Sequence, residues 1–130
     1  MWIKNRVGSI TAAVVALAAC ATSPGGTREL QQEEAYLEAM QSELRHLATS
    51  QEVYYADEYT YADDVSRLTF VASSGVEIRI SSATASGWGA VATHRGLPGR
   101  GCAVRYGRVV EPVQTPRGRV VERGGDLVCD

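Results

Sequence analysis

Three cysteines, Cys20, Cys102 and Cys129, carry the most distinctive chemistry of this 130-residue chain. A thiol can be acylated, close a disulfide or bind a metal, and the compartment decides which. The compartment is written in residues 1 to 19. A basic start with Lys4 and Arg6 gives way to apolar residues from Val7 through Ile10, Val14 and Val15 to Leu17, the pattern of an export signal. Its apolar run of about 13 residues falls short of the roughly 20 that a bilayer-spanning helix needs. Outside the cytoplasm, an odd number of cysteines implies one thiol that is free or joined to something other than its own chain.

The other side chains that could act on a ligand are mostly aromatic. Trp88, Tyr59 and Tyr61 offer rings that stack on sugars or bases, in competition with their use in core and loop packing. Asp57, Glu58, Asp63 and Asp64 offer hard oxygen ligands for Ca²⁺. They lack the Asp-x-Asp-x-Asp-Gly order of an EF-hand, so caps and solvated carboxylates are expected, with no metal and no cofactor. His46 and His94 read as surface or packing histidines. No Gly-x-Ser-x-Gly, His-Glu-x-x-His or Ser-x-x-Lys pattern occurs, so no catalytic residue, enzyme activity or small-molecule substrate is expected. The loop 96–101 is glycine-rich but lacks the Gly-Lys-Ser/Thr ending that cradles phosphate.

These groups need a scaffold, and loss of the export signal would leave about 110 residues, enough for one domain. Ala21 to Gly26 is a Ser/Pro/Gly linker, so residues 20–27 are expected to be a flexible tether. From Thr27, a plausible N-cap, to about Tyr55 there is no Gly or Pro. Leu30, Leu37, Met40, Leu44, Leu47 and Tyr54 recur at helical spacing, which predicts an amphipathic helix of roughly 28 residues and about 42 Å. Residues 56–64 read as an ordered loop. Alternation then takes over in Val76/Ile78/Ile80, Trp88/Ala90/Ala92 and Cys102/Val104/Tyr106, predicting three strands joined by short connections. The pairs Val109-Val110 and Val120-Val121 add short edge pairings, before the chain closes on Leu127-Val128-Cys129-Asp130. One apolar sheet face and one apolar helix stripe bury each other, giving an α+β layer pair: a long N-terminal helix on a three- to four-stranded antiparallel sheet.

Charge follows the same division. Residues 20–66 hold ten acids and two arginines, and residues 67–130 hold nine arginines and five acids. This reads as a solvated helix face followed by scattered strand arginines, too sparse for nucleic acid.

Leu17-Ala18-Ala19-Cys20 resembles the lipobox of bacterial lipoproteins. The resemblance implies cleavage before Cys20 and diacylglycerol on its thiol, anchoring the chain where a single acyl chain would be marginal. Ala21 in place of an aspartate resembles sorting to the outer membrane. The alternative is ordinary secretion with cleavage after Ala16-Leu17-Ala18, leaving Cys20 as a spare thiol. With export and a modified Cys20, Cys102 and Cys129 are the expected disulfide.

Residues 28–130 resemble the globular half of a type IV pilin or pseudopilin. The likeness rests on Gln51-Glu52-Val53-Tyr54-Tyr55 leading to Thr60-Tyr61, and then on Gly75 to Ile80, Gly87-Trp88, Ala92-Thr93-His94, Cys102-Ala103-Val104, Tyr106-Gly107 and Cys129-Asp130. The apolar half-helix by which pilins span the membrane and polymerise has no counterpart here; lipobox and linker stand in its place. The resemblance therefore implies a lipid-anchored head for docking, adhesion or an accessory role in a pilus or secretion system, with a protein partner in the envelope. The alternative is a small-ligand or polysaccharide-binding lipoprotein that uses Trp88, Tyr59 and Tyr61.

Overall fold

The structure, a computed structural model, describes residues 24–130. The expected export signal (1–19), Cys20 and residues 21–23 lie outside the described residues. Helix α1 spans Pro24–Glu58, 35 residues, so it starts before Thr27 and runs past Tyr55. Part of the expected tether is therefore helical, and Thr27 is not the cap. Pro24 suits the first helical position, where its missing N–H would be unpaired in any case. Gly25 and Gly26 follow, each about 1 kcal/mol less favourable than Ala, making this end the weakest of the helix. At 1.5 Å per residue α1 is about 52 Å long. Residues 25–32 are exposed on every side, and Leu30, expected in the apolar stripe, is 69% exposed. The buried stripe consists of Met40, Leu44, Leu47 and Gln51, with Leu37 and Tyr54 partly buried beside it.

After a loop and a 3-10 turn at Val65–Arg67 come four strands, β1 (Val76–Ala83), β2 (Gly87–His94), β3 (Gly101–Gly107) and β4 (Leu127–Cys129). They form one antiparallel sheet in the order β1-β2-β3-β4. The architecture is α+β, one long helix with a four-stranded antiparallel sheet. Val76, Ile78 and Ile80 of β1, Trp88, Ala90 and Ala92 of β2, and Cys102, Val104 and Tyr106 of β3 join Met40, Leu44 and Leu47 in the main core. The small Ala90 and Ala92 leave room for the larger helix side chains, as dense packing requires. Ala62, Leu68, Phe70 and Ala72 of the 59–75 loop also enter this core.

The opposite face of the sheet is covered too, which the sequence reading did not anticipate. Residues 108–126 fold across it as a strap. Val113 and Val121, each 1% exposed, pack with Ala103, Val91, Val109 and Val128 into a second small core. Gly89 makes this seating possible, because a Cβ there would lie 2.2 Å from Val113 Cγ2. The expected edge pairings of Val109-Val110 and Val120-Val121 are replaced by an internal bridge, Gln114↔Val120. The bridge is tightened by Thr115 N–H donating to the Arg119 carbonyl at 2.9 Å.

Cys102 and Cys129 are register partners on β3 and β4, with their sulfurs at disulfide distance, 2.06 Å. Asp130 N–H donates to the Gly101 carbonyl next to them, so the cysteines occupy a pair without ladder bonds between them, where side chains come closest.

Candidate functional site

Two clusters of the side chains singled out in the sequence come together, at the end of α1 and at the β3–β4 seam. At the helix end, Gln51 is fully buried and binds both backbone groups of Ala62. This clamp turns the chain back against α1 and sets the position of the tyrosines on either side. Tyr59 takes φ 57, a left-handed conformation uncommon outside glycine, and its ring is 77% exposed. Tyr61 turns inward. Its ring lies 4.7 Å from Tyr55, tilted by 31°, and its hydroxyl donates to Glu52 Oε1 at 3.4 Å. Burial, with the nearby Glu52 carboxylate, raises the Tyr61 phenol above its ordinary pKa.

Two of the four acids, Asp63 and Asp64, are committed locally. Asp64 accepts from Ser66 N–H at 2.8 Å and caps the 3-10 turn; the Ser66 hydroxyl first, and then its N–H, hold the carboxyl below the usual range. Asp63 pairs with Arg67 at 2.9 Å. Among the described residues no group of three or more His, Cys, Asp or Glu is placed to hold a metal ion. Beside this loop, Thr49, Val53, Tyr54, Asp57 and Glu58 of α1 face Arg67, Leu68 and Thr69 across an open groove of about 440 Å³.

Trp88 is not part of any surface. It is 0% exposed, stacked on Tyr106 with centroids 5.1 Å apart, on the helix-facing side of β2. The rings of the alternative reading, Trp88, Tyr59 and Tyr61, do not share one surface: alternation places Trp88 with Ala90 and Ala92 toward α1, and of the three only Tyr59 is largely exposed. Burying roughly 200 Å² of this side chain of Trp88 contributes about 5 kcal/mol of hydrophobic stabilisation, which outweighs the cost of about 1–3 kcal/mol for its indole N–H, buried without a partner among the described residues.

The histidines are placed as packing and surface groups. His46 is exposed, whereas His94 stacks on Tyr36 at 4.0 Å and accepts from Gly96 N–H through Nδ1 at 2.9 Å, tying β2 to α1. Gly75, at φ +87, lies so close that a Cβ would be 2.6 Å from His94 Nε2.

Three polar arrangements escaped the sequence reading. Glu43 is 6% exposed and accepts a hydrogen bond from the Ser73 hydroxyl. Its signal was its position three residues after Met40 and four before Leu47, on the buried stripe. Arg100 bridges α1 and the chain's last residue, donating to Glu33 Oε2 and to the Asp130 carbonyl at 2.9 Å each. On the far face, Glu77, Arg79, Val91 and Thr93 meet Gln114, Thr115 and Pro116 of the strap around an open groove of about 400 Å³.

Cys20 lies outside the described residues. No helix among the described residues is long and apolar enough to cross a membrane. Compared with known protein families, with characterised proteins and with solved structures, the chain matches none of them.

Proposed function

We propose that this chain is a lipid-anchored, non-enzymatic interaction module of the bacterial envelope, held to the outer membrane through Cys20 and offering a pilin-like head to a protein partner of a pilus or secretion system. The observation that carries the reading is the order of parts along α1. The helix opens at Pro24, a few residues beyond the lipobox cysteine, and its first turns are exposed all round before the stripe at Met40 to Gln51 meets the sheet. Such a stalk holds a head clear of a bilayer surface. The head itself has a helix on an antiparallel meander with its tail joined to β3 through Cys102 and Cys129, the order of parts the pilin resemblance implies. The ligand-binding alternative loses its central ring with Trp88 buried.

Cross-linking of the full chain in mild detergent tests the partner. The wild type should recover pilus or secretion components in proportion to membrane attachment, and Cys20→Ser should recover far less. Repeated recovery of none from the anchored wild type would count against the proposal.

A further inference from the structure

The two edges of the sheet are finished differently. At the β4 edge the strand is only three residues long, and the Cys129 carbonyl accepts from Arg119 Nη1 at 2.8 Å. The β1 edge is eight residues long. Arg95 N–H donates to the Gly75 carbonyl, and the register continues Val76↔His94, Glu77↔Thr93, Ile78↔Ala92. By the alternation of an antiparallel ladder, Glu77 and Arg79 therefore bond inward to β2, while the backbones of Val76, Ile78 and Ile80 point outward. Val76 N–H is used by the Ser73 carbonyl. No other turn or loop backbone among the described residues bonds to these three outward positions. The regular edge ends at the bulge between Ile80 and Ser82.

We propose that this edge is a self-association site, at which β1 of a second copy pairs antiparallel about a two-fold axis through Ile78. The strand is self-complementary about that residue. Ile78 meets the partner's Ile78, Val76 meets the partner's Ile80, and Glu77 meets the partner's Arg79, twice by symmetry. Glu77 and Arg79 are both exposed, and neither forms an ion pair among the described residues. In the paired ladder they occupy positions without hydrogen bonds between them, where cross-strand side chains approach most closely. Axes through Glu77 or Arg79 would keep the same backbone ladder but set like charges face to face, which selects Ile78 as the centre. A strand edge whose outward backbone groups are not all bonded is a template for another strand, and here its charges favour a copy of itself.

Charge exchange tests this on the full chain, extracted in non-ionic detergent with its disulfide intact, by sedimentation and native mass spectrometry. The wild type should form a dimer. Glu77→Arg and Arg79→Glu each make both cross-strand pairs repulsive and should weaken association about thirtyfold. Mixing the two variants should restore a dimer containing one of each, and so should the double exchange within one chain. A wild type that stays monomeric, single variants that associate like the wild type, or a mixture that forms no heterodimer would each overturn the proposal. Loss of cross-linking to some other envelope protein in these variants, with a monomeric wild type, would also overturn it by giving the edge to a different strand.

Discussion

Gln51 holds Ala62 by both of its backbone groups, Nε2 donating to the carbonyl and the amide N–H donating to Oε1, each at 2.8 Å, in a site from which water is excluded. The two residues are eleven apart, so one side chain closes the whole turn from the end of α1 into the core. A glutamine suits the position because it is at once donor and acceptor and carries no charge to desolvate.

Gln51→Leu should therefore cost more than its added apolar area returns. It leaves a buried N–H and a buried C=O unpaired, at about 1–3 kcal/mol each. Gln51→Glu should do little better, since a carboxylate cannot donate to the carbonyl. Urea denaturation gives the size of the loss, and amide exchange should quicken first around residues 59–64. A Gln51→Leu protein as stable as the wild type would show that the clamp contributes nothing.

The disulfide closes a loop with a sequence separation of 27. Restricting the unfolded chain by that loop is worth about 3.5 kcal/mol in the chain-entropy description. Cys102→Ser combined with Cys129→Ser should lower stability by about this much. Thiol titration of the exported wild type should find neither cysteine reactive.

Gly89 and Val113 predict a strain effect on the far face. Gly89→Ala drives a methyl into Val113. It should cost about 1–3 kcal/mol, as overpacking does, although alanine has the better strand propensity. Val113→Ala in the same chain should recover part of the loss. A non-additive double-mutant cycle measured by thermal unfolding would register the contact.

Tyr61 should contribute to the alkaline limb of stability. Its folded-state pKa is raised above 10.0, first by burial and then by Glu52. Below the unfolded value both states keep the proton, and the folded protein has its full stability. As pH rises past that value the unfolded chain releases the proton first, so stability falls through the folded pKa. Tyr61→Phe should flatten this decline. An unchanged alkaline limb in the variant would show that the phenol is not linked to folding.

Legibility in the sequence followed periodicity. The stripe at Met40, Leu44 and Leu47 and the alternation in β1 to β3 placed the helix, the sheet and the buried face, because each repeats a local geometric rule. The same alternation put Trp88 on the helix side, which favours core packing over the competing use of its ring for a ligand. The strap was not legible: residues 108–126 have no repeating pattern, and their placement depends on the distant contact of Val113 with Gly89. A lone glycine inside an alternating strand was its one trace. The surplus length of α1 was hidden because Pro24, Gly25 and Gly26 read as linker chemistry, although proline is welcome at a helix start. At the candidate site, Cys102 and Cys129 were found by counting thiols, while Glu43 was missed despite its place on the stripe between Met40 and Leu47, and Arg100 because its partners Glu33 and Asp130 are distant in sequence.

The proposal depends most on what happens at Cys20, and the mass of the mature N-terminal peptide decides it. Mass spectrometry of the chain purified from membranes should find a peptide that begins at Cys20 and carries diacylglycerol on sulfur. A peptide that begins at Ala19, with an unmodified thiol at Cys20, would contradict the lipid anchor.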